Sequence, residues 1–382
     1  TIIRFKLTAD HVKIAEQIIN DTSAPHTNTM SALDILVESP PDITAVPALV
    51  RILDQDPDKR PVVLAGLAAK ILGGLKAKEA VQGLVSCLWR TDAYGRNSAP
   101  ECRVALTQLG PQHTFDTLVQ TLQRKNAAVE QRATQYGFKD KGAVEAKVAD
   151  LLGQLGNPRA TDILLEYLTL NEIPPGCERF LGEQEEKEAL SKGKKSKKEQ
   201  CIAEQVEFLE DSYFSKKKEE CIQLQADYVL GQTERFLQIT KALAKLQAEK
   251  AVPKLVEFAQ AETSALQVKQ AVVEQLAVMG TPKAVPLLMK LLKDKDAFIL
   301  PEGTEVDKLG EESPNARSGS DRNGGRPGLI RAIHDYRQKI LTTAVRIAGP
   351  QDDKANILIA KEITDTTARF LAFKNQNKAE VD

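Results

Sequence analysis

Apolar residues return along this chain at the i, i+3, i+4, i+7 spacing that lines one face of an α-helix. The first copy reads Val46, Leu49, Val50, Leu53. The stripe comes back as Val81, Leu84, Val85, Leu88, then as Phe115, Leu118, Val119, Leu122, then as Ala160, Ile163, Leu164, Tyr167. Two further copies are Val252, Leu255, Val256, Ala259 and Val285, Leu288, Met289, Leu292, and a weaker one lies at Ile359, Ala360 and Ile363. The short intervals between copies are all about 34 residues, a spacing that marks repeated helical units. The longer intervals imply insertions.

A second helix precedes each stripe and ends in glycine: Leu64 to Gly74, Cys102 to Gly110, Val144 to Gly156, Leu266 to Gly280 and Lys339 to Gly349. Glycine after an apolar helix is a stop signal, because a left-handed residue lets the last carbonyls find donors. Pro47, Pro253 and Pro286 fall in the first turn of the next helix. A missing N–H costs little there, since it would have no partner within the helix. Each unit therefore reads as helix A, turn, helix B, tight turn. A single pair cannot bury its apolar faces, and stacked pairs can.

The segments Ala45-Val46-Pro47-Ala48-Leu49, Lys250-Ala251-Val252-Pro253-Lys254-Leu255 and Lys283-Ala284-Val285-Pro286-Leu287-Leu288, with the endings Ala105 to Gly110 and Leu151 to Gly156, resemble the HEAT-repeat family and its bacterial members. The resemblance covers about two thirds of the chain. It implies an all-α, right-handed α-α superhelix, an armadillo-like solenoid with helical and disordered insertions. The family often carries an Asp and an Arg in the turn between helices A and B. Asp54, Asp56 and Arg60 fit that pattern in one repeat only, so the expected curvature is irregular.

On this reading residues 1–38 cap one end, with Ile14 and Ile18 facing inward, and residues 39–168 and 232–293 are repeats. Residues 169–231 form a charged helical insertion, 294–328 a flexible loop, and 329–382 a last repeat and cap. Segments 89–99, 124–142, 169–231 and 294–328 all fall between an A helix and its B helix, which predicts a ridge along one edge. Insertions gathered on one face often bind something, and the tight B-to-A turn tolerating no growth would give the same pattern.

The segment 89–99 holds the chain's one tryptophan, Trp89, with Arg90, Tyr94 and Arg96; Tyr136 and Phe138 extend the set in the next segment. Trp, Tyr and Arg are the usual anchors of protein interfaces. These six are the expected partner-binding residues, although Trp89 could instead pack into the solenoid's edge. Cys87 and Cys102 bracket the segment. A disulfide between them would close a loop of about 15 residues, stabilising by roughly 3 kcal/mol through chain entropy. It would also place the chain in an oxidising compartment. Cys177, Cys201 and Cys221 fall in the third insertion.

The formal net charge is −1, from 52 Lys and Arg against 53 Asp and Glu. A balanced chain has no overall field to draw in nucleic acid. The lysines at 192, 194, 195, 197 and 198 are the one local exception, diluted by Glu183, Glu185, Glu186 and Glu188. No apolar run is long enough for a membrane span. His11, His26, His113 and His334 make no metal-ligand spacing, no Cys-x-x-Cys occurs, and no phosphate loop or nucleophile elbow is present.

Among enzymes built on such repeats, deoxyhypusine hydroxylases use His-Glu pairs that this chain lacks, and alkylpurine DNA glycosylases need a basic face. Bilin lyases carry chemistry poorly marked in sequence. The expectation is a non-enzymatic scaffold for a protein partner, without cofactor, metal or small-molecule substrate. The alternatives are a lyase or modifying enzyme of the same class, and nucleic-acid binding through the lysines. The chain begins at Thr1, read either as a trimmed piece or as a mature form that has lost an export signal or lipidated start. Localisation leans to the bacterial cell envelope, periplasmic or as a lipoprotein, with the cytoplasm as the alternative.

Overall fold

The computed structural model describes residues 7–55, 61–92, 94–135, 142–170, 228–261, 264, 266–294 and 325–350, with short stretches at 216–217, 219–220, 356–357, 359–361 and 363–364. In the first half of the chain the helices are α1 Ala9–Asn20, α2 His26–Glu38, α3 Val46–Asp54, α4 Val62–Gly74, α5 Val81–Cys87, α6 Ala99–Leu109, α7 Pro111–Leu122, α8 Ala127–Gln135 and α9 Ala143–Leu155. In the second half they are α10 Ala160–Glu166, α11 (228–245), α12 Val252–Gln260, α13 Leu266–Met279, α14 Ala284–Lys293 and α15 Gly325–Ala348. The fold is all-α: among the described residues there is no strand, and an isolated bridge joins Thr91 to Asn97.

The chain divides into two compact units, residues 1–157 with 168–238, and residues 158–167 with 239–382. In the first unit, α1, α3, α5 and α7 pack in one layer and α2, α4, α6 and α9 in a second. Each helix of the first layer also packs on its follower in the second: α1 on α2, α3 on α4, α5 on α6, α7 on α9. The second unit repeats the plan, with α12 on α13, α14 on α15, α12 beside α14 and α13 beside α15.

The apolar stripes make these contacts. Leu49, Leu53, Leu84, Val85, Leu118, Leu122, Leu164, Leu255 and Leu288 are all buried. In α1 the buried pair is Ala15 and Ile19, one position on from the Ile14 and Ile18 expected to face inward, and Ile14 is 54% exposed. A one-residue shift turns a helix by about 100°, enough to exchange inner and outer faces.

Gly110, Gly156, Gly280 and Gly349 have φ between 60° and 79°, as their stop positions require. Gly74 is different. It is the last residue of α4, and the left-handed residue is Lys76, with φ 52°. Here Ala77 N–H donates to Leu72 O and Lys76 N–H to Gly73 O, the paired bonds of a Schellman turn. Arg124 and Gln247 take the same place after α7 and α11.

A ladder of cations completes the A-layer helix ends. The last carbonyls of a helix lack intrahelical donors and carry its partial negative charge. Arg51 Nη2 donates to Ile19 O at 2.8 Å, Arg90 Nη1 to Ile52 O and Leu53 O at 2.9 Å each, and Lys147 Nζ to Leu88 O at 3.0 Å. In the second unit Lys254 Nζ donates to Leu165 O at 2.7 Å and Arg337 Nη2 to Leu292 O at 3.1 Å. Asp56 and Arg60, expected to form one rung of a polar ladder, lie outside the described residues.

Candidate functional site

The segment between α5 and α6 is a short, heavily tied loop. At its base a disulfide joins Cys87, the last residue of α5, to Cys102 in α6, with the Cα atoms 6.1 Å apart. Both cysteines are fully buried. Ser98 N–H donates to Arg90 O at 3.3 Å, closing the loop above the disulfide.

Trp89 and Arg90 point inward. Trp89 is 2% exposed and Arg90 is wholly buried, its guanidinium spent on the end of α3. Neither is a surface anchor, which corrects the sequence expectation. Trp89 lies just beyond the end of α5, and Arg90 donates to the carbonyls of Ile52 and Leu53 at the end of α3. Lys147 Nζ lies 5.7 Å from the centre of the Trp89 ring. Burial, aided by the neighbouring Arg103, holds the Lys147 amine below its ordinary range.

Tyr94 and Arg96 point outward. Tyr94 is 86% exposed. The loop tip is organised by Asp92, a residue the sequence reading passed over. Asp92 Oδ1 accepts from Tyr94 N–H at 2.9 Å and Arg96 N–H at 3.0 Å, and Oδ2 accepts from Arg96 Nε at 2.7 Å. Gly95 N–H donates to Asp92 O at 3.0 Å, with Gly95 in the left-handed region at φ 76°. Asp followed three residues later by Gly is a turn signature, so this signal was available in the sequence. Slight burial opposes ionisation of Asp92, and the bonds from the Arg96 side chain and the two amides overcome it, leaving the carboxyl below its ordinary range. The Arg96 guanidinium carbon sits 5.4 Å from the Tyr94 ring centre, a cation–π distance.

Helix α8 packs on α5. Arg124 fixes it, donating to Glu130 at 2.5 and 2.8 Å and to Glu145 of α9 at 3.1 Å. Burial pushes the Asp54 carboxyl up, against the pull of Arg132 on α8 and of Arg90. Tyr136 and Phe138, the remaining expected anchors, lie outside the described residues, as do Cys177, Cys201, Cys221 and the Lys-rich stretch. Among the described residues no group of three or more His, Cys, Asp or Glu could hold a metal ion, and no helix is long and apolar enough to cross a membrane.

Residues 237–302, which span the end of α11, α12, α13 and α14, match the family model of HEAT repeats. That stretch of the chain is built of HEAT repeats. No curated protein matches the chain in sequence. Among solved structures similar to the chain is the complex of CpcE and CpcF of phycocyanin lyase from Nostoc sp. PCC7120, with 15% identity and a TM-score of 0.32, covering 87% of this chain and 96% of that chain. Beside that finding the expectation of a non-enzymatic chain is withdrawn. The likeness is too loose to carry a substrate or a role across.

Proposed function

We propose that this HEAT-repeat scaffold holds a protein partner and that the loop between α5 and α6 is one of its contacts. The observation that carries the reading is Tyr94: a large aromatic side chain, 86% exposed, at the tip of a loop fixed on every side. Aromatic and Arg side chains on rigid supports dominate interface energetics, because little conformational freedom is lost when they are covered. The loop's supports are the disulfide, the buried Trp89 and the Arg90 clamp on α3. The lyase alternative gains no residue of its own among those described, and the nucleic-acid alternative depends on lysines outside them.

The test is site-specific photo-crosslinking in the native host. A benzophenone side chain is placed at position 94 and, as a control, at Lys70, which is exposed on α4. A protein captured at 94 and not at 70 is expected, and Tyr94→Ala should weaken its binding by about tenfold or more, the range of an interface anchor. Equal capture at both positions, or none at 94, removes the loop from the interface.

A further inference from the structure

We infer that the loop tip recognises a carboxylate side chain of its protein partner, through the free edge of the Arg96 guanidinium with Tyr94 beside it. This rests on the partner-binding reading above. Arg96 is held from one side only. Its Nε donates to Asp92, and its two terminal nitrogens make no hydrogen bond among the described residues. The side chain is 60% exposed, so that edge faces solvent.

An exposed arginine ordinarily samples many rotamers, and binding must then freeze them. Here Asp92, whose own side chain is 11% exposed, fixes the Nε end, and the Tyr94 ring lies against the guanidinium. Asp92 is itself fixed by two backbone amides. The outward edge is therefore already in place, with paired N–H groups in the fork geometry that matches a carboxylate.

Charge selects the occupant further. Asp92 and Arg96 together are neutral, so the tip offers directed donors and not a cationic field. A singly charged, planar carboxylate fits that offer. A nucleic-acid backbone needs several phosphate-neutralising cations in a row, and the tip has one, already paired.

The experiment uses the purified full chain with its disulfide intact. The probe is a C-terminally amidated peptide, Gly-Asp-Glu-Asp-Gly, carrying a carboxylate-free BODIPY label and followed by anisotropy beside its identically labelled and amidated twin, Gly-Asn-Gln-Asn-Gly. Saturable binding of the acidic peptide is expected, with loss of about tenfold or more in Arg96→Gln and also in Arg96→Lys, since an ammonium cannot form the bidentate pair. The amide twin should not bind. Equal affinity of wild type and Arg96→Gln, or of the two peptides, overturns the assignment. Circular dichroism melts of the variants should match wild type, because Arg96 supports only the exposed tip. The position-94 crosslink separates the two claims. A partner captured there as efficiently in Arg96→Gln as in wild type leaves the docking loop standing and removes the carboxylate.

Discussion

The Arg90 guanidinium clamps the carbonyl of Leu53, and that of Ile52 beside it, from the far end of the next repeat's A helix. The contact joins residues 37 and 38 positions apart and couples the α5–α6 loop to α3. Removing the cation leaves buried carbonyls without their charged donor. Bonds to a charged group contribute about 1.5–3 kcal/mol each, so Arg90→Ala should destabilise the first unit by roughly 3 kcal/mol or more. Arg90→Lys should recover part of this, because one ammonium can still reach one carbonyl. Denaturant unfolding decides the matter, and a wild-type midpoint for Arg90→Ala would show that the clamp contributes nothing net.

Trp89 is the chain's one tryptophan, so its burial can be read in solution. Emission should lie at the short-wavelength end of the indole range and be poorly quenched by iodide. Trp89→Ala should cost about 3–5 kcal/mol, as truncation of a buried aromatic does. A red-shifted, readily quenched wild-type spectrum would put the indole on the surface and restore it as an anchor.

The apolar stripes made the helices and their pairing legible in the sequence, because burying one face is a requirement that every repeat shares. Gly110, Gly156, Gly280 and Gly349 were legible for the same reason: a left-handed stop favours one residue type. Lys76 was not, since a Schellman turn there overrides the residue's own preference through bonds to Leu72 and Gly73. The direction of Trp89 and Arg90 was also hidden. A Trp-Arg pair at a helix end has the same composition whether it faces a partner or the neighbouring repeat. What separates the two is the position of the α3 carbonyls, 37 and 38 residues earlier. Tyr94 and Arg96 were legible as types, but their latch on Asp92 depends on the turn between them.

Gly73 and Gly74 are adjacent in sequence and opposite in demand. A Cβ on Gly73 would meet the Ala105 Cα at 2.7 Å, where α4 and α6 approach closely. A Cβ on Gly74 would meet nothing within 4 Å. Gly73→Ala should therefore destabilise by about 1–3 kcal/mol, the range for overpacking. Gly74→Ala should be neutral or stabilise by up to about 1 kcal/mol, through helix propensity in a terminal turn. Parallel thermal melts give the comparison, and equal effects at the two positions would contradict this packing of α4 on α6.

The Asp92 latch should respond to acid. Its folded-state pKa lies below the ordinary 3.8, so its contribution is fully present above that value and is lost as pH falls through the lower, folded value. A carboxyl-carbon NMR titration should place the Asp92 midpoint below 3.8, and Arg96→Gln should move it upward by removing one of the bonds that hold it down. Lys147 runs the other way. Its amine is held below the ordinary 10.5, so burying it opposes folding at neutral pH and that opposition fades as pH rises toward 10.5. An Asp92 midpoint at or above 3.8 would mean that the loop tip is not latched in solution.

The disulfide gives the last test, because Cys87 and Cys102 are fully buried. A small reductant should reach the bond only when the first unit opens, so reduction in native buffer should be slow and should accelerate with denaturant. Thiol blocking of natively purified protein, followed by mass mapping, should leave Cys87 and Cys102 unmodified until both reductant and denaturant are present. Replacing both by alanine removes the chain constraint across a separation of 15 residues. The expected cost is about 3 kcal/mol on the loop-entropy scale, read as a lower unfolding midpoint. The exposed Tyr94 tip should keep its Asp92 bonds in that variant, since Trp89 and Arg90 still hold the loop's base from inside. If loss of the bond instead abolishes the position-94 crosslink while the fold survives, the staple sets the loop's shape directly. Cys87 and Cys102 found freely alkylated in unreduced, folded protein would remove the bond, and the extra stability with it.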